Sequence, residues 1–329
     1  MKIAWLIGIG YFIVRTLTSN KYSLWDAFVF LFSVSPFAFI PNSLPGDFYY
    51  YRTAYYNMTS LSWFANGWAP GYNFTTYSFG KIFDYDFLGL QFVRLIPTVL
   101  LTLSIVKFKL KPFVILFLIS SLILVPALVI TRAYYANIFF LIGCCYYLKE
   151  KHFHSVFFSV IACLFHFSAL VALPFFLIPL LNFKRAKFRK IVKIIALLFS
   201  LLILYSLIQV IPIFIDKFYE RFTVAMGKVP IRIPALLLIF VILYFSSKSI
   251  RRIVGEIPIA LRFLSFAIIL ISIISYGVSR LFMFVQIFFI LRLASSESLV
   301  ANKNMRILMI IYSVLSCLFF LNFYNPGLG

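Results

Sequence analysis

Apolar runs of roughly 15–25 residues, separated by short polar breaks, follow one another along the chain, and that is the length needed to cross about 30 Å of hydrocarbon. The pattern predicts spans at 3–18, 24–41, 87–107, 112–130, 133–148, 153–166, 167–182, 191–212, 233–247, 257–276, 281–294 and 307–323. In lipid every backbone polar group needs an internal partner, so these runs must be helices. The expectation is an all-α polytopic integral membrane protein of about 12 transmembrane or re-entrant helices, forming one domain over residues 1–329. Residues 71–86 are too polar to span and are expected to form an interfacial helix.

Composition agrees. Hydrophobic residues make up 63% and charged residues 12%, with a mean hydropathy of +1.02, far outside the soluble range. A net charge of +21 would point to nucleic acid in a soluble protein. Here the basic residues sit between spans instead, as Lys107/Lys109/Lys111, Lys149/Lys151, Lys184 to Lys193, Lys248/Arg251/Arg252 and Lys303/Arg306. That is the distribution of short cytoplasmic loops, and a nucleic-acid partner is not expected. Met1-Lys2 runs straight into an apolar segment with no small-residue cleavage site, so a removed signal is not expected either. Cys144, Cys145, Cys163 and Cys317 lie inside apolar runs without metal-ligand spacing and read as packing residues.

Placing the lysine-rich loops inside leaves a large outer loop at 42–86, a smaller one at 213–232, and both chain ends outside. Residues 153–182 are apolar throughout yet flanked by inside signatures on both sides. The chain must therefore go out and return, turning near His166-Phe167-Ser168. This topology gathers Asp47, Arg52, Arg94, Arg132, His166, Asp216, Glu220, Arg221, Arg232 and Arg280 on the outer side.

Each of these residues has a plain reading and a chemical one. His166 is either a core histidine bonded to a carbonyl or, being neutral near pH 7, a base for a sugar hydroxyl. Arg132 and Arg280 either anchor helix ends by snorkelling or grip an anionic group through the guanidinium fork. Arg94 is deeper, with Gln91 on the same helical face, and calls for a partner. Asp47 follows a Pro-rich turn, where it caps a helix or receives a proton. Tyr51 and Tyr55, four apart, share a helix face that suits an aromatic belt or stacking on a sugar ring. Asp84-Tyr85-Asp86 either favours the dipole of the helix that follows or shares a divalent cation. There is no phosphate-binding glycine loop, HExxH or GxSxG.

Three segments then resemble a known family. Gly46-Asp47-Phe48-Tyr49-Tyr50-Tyr51-Arg52-Thr53-Ala54-Tyr55 is similar to the first outer-loop motif of the EpsG-type polysaccharide polymerases, relatives of the Wzy O-antigen polymerases. Thr131-Arg132-Ala133-Tyr134-Tyr135-Ala136 with Ala162-Cys163-Leu164-Phe165-His166-Phe167-Ser168-Ala169-Leu170 resembles the family's central arginine and histidine segments. Ser279-Arg280-Leu281-Phe282-Met283-Phe284 resembles its late arginine segment. The likeness runs from about residue 45 to 290. Phe48 follows Asp47 where Tyr is usual, and Ala69 stands before Pro70-Gly71-Tyr72 where an acidic residue is often found.

The resemblance implies a glycosyltransferase on the periplasmic face of the bacterial inner membrane. It would polymerise repeat units carried on undecaprenyl diphosphate, the lipid-linked glycans being donor and acceptor, with a chain-length regulator as a possible further partner. Arg132, Arg280, Arg94 and Arg221 would hold the diphosphate, and His166 or Asp47 would accept the proton, with Tyr51 and Tyr55 against sugar. Arginines neutralise the leaving group in this scheme, so it calls for no metal and no cofactor. A lipid-linked oligosaccharide flippase or transporter, or a membrane O-acyltransferase acting on glycans, are the competing readings.

Overall fold

The computed structural model of the chain describes residues 2–19, 21–39, 47–57, 69–122, 131–166, 169–170, 173, 175–176, 279–295 and 303–323. The expected spans at 191–212, 233–247 and 257–276, and most of 167–182, lie outside these. The described residues are helical, with no strand among them. The α-helices are α1 (Lys2–Thr18), α2 (Leu24–Val34), α3 (Asp47–Asn57), α4 (Pro70–Ile82), α5 (Phe87–Phe108), α6 (Pro112–Phe117), α7 (Thr131–Leu148), α8 (His152–Phe165), α9 (Ser279–Ser295) and α10 (Lys303–Phe323).

Among the described residues, α5 alone is both long and apolar enough to cross a membrane unaided. Shorter apolar helices accompany it, and several turn large side chains outward along one stripe: Ile3, Ile7 and Val14 on α1, and Trp25, Phe28 and Phe32 on α2 are all exposed. Contiguous apolar surface of that kind is suited to lipid rather than water.

Local chemistry sets the breaks. The expected span 24–41 is α-helical only to Val34 and continues as a 3-10 turn, Ser35–Phe39; Pro36 within it has no N–H to carry the α ladder on. The expected span 112–130 is α-helical to Phe117 and then forms a π turn, Leu118–Leu122. Pro70 opens α4 at its first helical position, where a missing N–H costs nothing. Asp84 and Tyr85 take positive φ, reversing the chain between α4 and α5. Asp86 then caps α5, its Oδ1 accepting from the Phe87 N–H at 2.6 Å. The Asp84-Tyr85-Asp86 stretch is thus a hairpin turn with a helix cap.

Helix directions follow from pair contacts. α7 and α8 are antiparallel along their length: Tyr146 meets His154, Phe139 meets Phe158, and Tyr135 stacks on Phe165 with centroids 4.6 Å apart. Their backbones approach closely at Gly143, where an added Cβ would lie 2.9 Å from Ser159 Oγ and 3.1 Å from the Ser155 carbonyl, the small-residue packing typical of membrane helices. α5 runs parallel to α7, since Thr98 bonds Tyr134 and Phe108 meets Tyr146. α9 is also parallel to α7: Asn137 bonds Met283, Phe140 meets Phe284 and Tyr147 meets Phe288.

One end of the bundle therefore collects the ends of α5, α7 and α9 and the starts of α6 and α8. Lys107, Lys109, Lys111, Lys149, Lys151 and Arg292 lie there, and Lys111 Nζ donates to the Ala294 carbonyl at 3.0 Å. The end of α1 and the starts of α2 and α10 form a second basic cluster, with Arg306 Nη1 donating to the Thr16 and Leu17 carbonyls, each at 3.2 Å. α2 leads from this cluster toward Arg94, which reaches the 3-10 turn that follows it.

At the α1–α2 junction sits an ion pair that the sequence reading did not anticipate. Asp26 is fully buried; its Oδ1 accepts from Arg15 Nε at 3.1 Å and from Tyr11 Oη at 3.0 Å. Its Oδ2 accepts from the Ser23 N–H at 2.7 Å, as a carboxylate in a helix's first turn can. Arg15→Ala would leave this carboxylate buried with one hydroxyl and one backbone N–H but no counter-charge. A loss of about 3 kcal/mol is expected, read as a lowered unfolding midpoint of the purified protein in detergent, with Arg15→Lys losing less.

Candidate functional site

The opposite end of the bundle is assembled from four described elements. α4 enters it at Pro70-Gly71-Tyr72, α5 passes through it at Val93 and Arg94, α7 begins in it at Thr131-Arg132, and α8 ends in it at Phe165-His166. The Tyr135–Phe165 stack joins α7 to α8, and Tyr72 meets Tyr135 edge-on. Gly71 is needed at this junction: a Cβ there would stand 3.0–3.2 Å from the Phe165 ring and Leu164 Cβ.

His166 lies one residue beyond the stacked Phe165, and Arg132 three residues before Tyr135, so both stand within one helical turn of the same aromatic pair. α8 ends as expected at this point. His166 takes an extended conformation (φ −154°, ψ 122°) and its N–H closes the helix on the Ala162 carbonyl. Its carbonyl accepts from the Ala169 N–H at 2.9 Å, beginning the turn. The residue is half-buried.

Arg94 is buried, and its Nη1 reaches the Ala38 carbonyl at 3.5 Å, tying the 3-10 turn after α2 to α5. Three residues later, Pro97 lies inside α5 and has no N–H to offer the Val93 carbonyl four residues back. The Tyr135 hydroxyl supplies that bond. A proline in one helix is thereby matched by a tyrosine on another, and the register between α5 and α7 is fixed beside Arg94 and Arg132.

Arg280 is the second residue of α9, as Arg132 is of α7. Because α7 and α9 are parallel and adjacent, both arginines start their helices at the same end. Asp47 is the first residue of α3. α3 packs on α4 and on the start of α5, and carries Arg52, whose guanidinium lies 5.8 Å from the Tyr56 ring centre. Arg221, like Asp216, Glu220 and Arg232, lies outside the described residues. Tyr51 falls in the middle of α3, within one turn of Arg52.

Tyr55 does not fit the role expected for it. Its side chain is fully buried in a small cluster with Leu90, Tyr56, Tyr85 and Phe87, fitting the space above Gly89, so neither ring face is open to a sugar. The reason is steric: Gly89 has no side chain, and the tyrosine ring fills the gap. Burial first, and the neighbouring Tyr56 second, push its phenol up to about 12. Among the described residues its hydroxyl has no hydrogen-bond partner. Tyr55→Phe is therefore expected to match the parent in stability and activity, whereas Tyr55→Ala loses about 3 kcal/mol or more through the cavity it leaves; thermal unfolding of both variants checks this.

Of the four cysteines read as packing residues, Cys144 and Cys145 are buried and Cys163 partly so; the side chain of Cys317 lies outside those described. Among the described residues no cluster of three histidine, cysteine or acidic side chains is placed to hold a metal ion. The feature that the sequence missed at this end is the Val93–Pro97–Tyr135 link. A proline inside a predicted span is its signal, because the orphaned carbonyl requires a donor from elsewhere.

Among the described residues the fold is all-helical with lipid-suited flanks, and Arg94, Arg132, His166 and the start of α9 stand toward one end of the bundle. The model of the EpsG family matches residues 23–325, and the chain belongs to the EpsG family, a family of membrane proteins of polysaccharide biosynthesis. No curated protein matches the chain, and no solved structure does.

Proposed function

We propose that the chain is a polysaccharide polymerase acting on glycan repeat units linked to undecaprenyl diphosphate, at the periplasmic face of the inner membrane. The observation that supports this best is the paired start of α7 and α9. Each helix places an arginine at its second residue, Arg132 and Arg280, where the helix dipole is already positive. Two such starts side by side repel one another, and an anion between them relieves the repulsion. A diphosphate supplies that anion, with oxygens suited to two guanidinium forks.

The reaction divides naturally among these groups. A hydroxyl of the acceptor repeat unit attacks the anomeric carbon of the growing chain, and the bond from that carbon to the carrier's diphosphate breaks. The electron pair leaves with the diphosphate, whose growing charge Arg132 and Arg280 stabilise, with Arg94 and Arg221 in support. The hydroxyl proton passes to His166 or Asp47. Tyr51, close to Arg52, is the tyrosine left to meet sugar once Tyr55 is assigned to packing. The 42–86 and 213–232 segments would carry specificity for the repeat unit.

Deletion of the gene tests the reading on a gel of surface glycan. Core bearing a single repeat unit is the expected result, because export and ligation continue without polymerisation. Loss of all surface glycan would replace the reading with a flippase, and a ladder of normal length but altered mass with an O-acyltransferase. Reporter fusions that placed residues 183–190 outside would overturn the periplasmic orientation.

A further inference from the structure

The lysine end holds a second arrangement that the polymerase reading does not use. Lys107 closes α5 and Lys149 follows α7, and both side chains are exposed. Lys149 Nζ lies 5.1 Å from the centre of the Phe108 ring, and Lys107 Nζ lies 5.9 Å from the same ring and 5.3 Å from Tyr146. Phe108 meets Tyr146 edge-on, and His154 stacks on Tyr146 from the start of α8. Two ammonium groups thus share one aromatic support, and among the described residues neither has a carboxylate at ion-pair distance. Like charges gathered this way call for an anion from outside the chain.

Among the described residues, the surface beside them is apolar and uncovered. On α8, Phe153, Phe157, Val160 and Leu164 are exposed at spacings of four, three and four residues, a single stripe along the helix. The stripe begins next to His154 and runs away from the lysine end. A basic patch at the end of a membrane helix, continuous with an apolar stripe on its flank, matches an amphiphile with an anionic head.

We infer that Lys107 and Lys149, on the Phe108–Tyr146 support, bind the headgroup phosphate of an anionic phospholipid whose acyl chains lie along the exposed stripe of α8. The site is separate from the arginine–histidine end and does not depend on the reaction carried out there.

The full-length protein, reconstituted in phosphatidylcholine vesicles with trace spin-labelled phosphatidylglycerol or spin-labelled phosphatidylcholine, tests this through the immobilised fraction of each label. The parent is expected to select phosphatidylglycerol. Lys107→Gln with Lys149→Gln is expected to lower that selectivity roughly tenfold, as for two surface cations acting on one anionic headgroup. Phe108→Leu, which keeps every charge but removes the shared ring, is expected to lower it as well. Lys21→Gln with Lys303→Gln, at the other basic cluster, should leave it within about twofold, this pair standing for diffuse surface attraction. Equal losses in the two double variants would overturn the site in favour of such diffuse attraction. No loss in Lys107→Gln with Lys149→Gln would overturn it outright. Displacement of the labelled lipid by inorganic phosphate, but not by chloride of equal ionic strength, would reassign the pair to a soluble anion.

Discussion

His166→Ala and Arg280→Ala are each expected to abolish long glycan while the protein stays in the membrane at normal abundance. For Arg280 the argument is energetic. A charge-assisted bond contributes about 1.5–3 kcal/mol, so one lost contact to the leaving group slows transfer roughly tenfold to a hundredfold, enough to empty the upper rungs of a ladder. Arg280→Lys keeps the charge but loses the fork and should restore part of the length. For His166 the argument is positional. The residue ends α8 in an extended conformation and is only half-buried, so alanine there leaves the Tyr135–Phe165 stack in place. The decisive comparison is with Asp47→Asn: whichever variant shifts the pH profile of polymerisation in membranes identifies the proton acceptor. Normal polymer from both His166→Ala and Arg280→Ala would remove the proposed site.

The second large effect is one of stability. Tyr135→Phe removes the donor to the Val93 carbonyl, which Pro97 cannot serve. The carbonyl is then left unpaired within apolar packing, at an expected cost of about 2–3 kcal/mol. The companion substitution makes the argument sharper. Pro97→Ala gives α5 an N–H that can reach Val93 itself, so the double variant Tyr135→Phe/Pro97→Ala is expected to recover most of what Tyr135→Phe alone loses. Unfolding midpoints of the four proteins form the cycle; strict additivity would mean that the tyrosine acts only through its packing.

The sequence reading succeeded where one physical rule dominated. Apolar length and lysine position placed α1, α5, α7, α8, α9 and α10 to within a few residues, because hydrocarbon thickness and loop charge leave little choice. The end of α8 at His166 was readable for the same reason, since 153–182 is too long for one span between two basic flanks. Local backbone chemistry was harder to weigh: Pro36 changed the helix type late in a run that reads as a single span. Side-chain direction was hardest. Tyr51 and Tyr55 share a helix face on spacing alone, and only the gap at Gly89, more than thirty positions away, decides that Tyr55 turns inward. The Arg15–Asp26 pair leaves a trace in the sequence, as two ionisable residues inside predicted spans, but their meeting depends on how α1 and α2 pack.

The length of α8 bears on what happens after each bond is made. Its 14 residues rise about 21 Å, short of the roughly 30 Å of a bilayer's apolar layer. In a bilayer of ordinary thickness, with its basic start held at one surface, a helix of that length would leave His166 short of the opposite surface. On the proposed reaction, a carrier released at that depth is already level with the lipid tails. On that reading it would depart sideways into the bilayer while the sugar chain stays above, making turnover a matter of lateral exit as much as of chemistry.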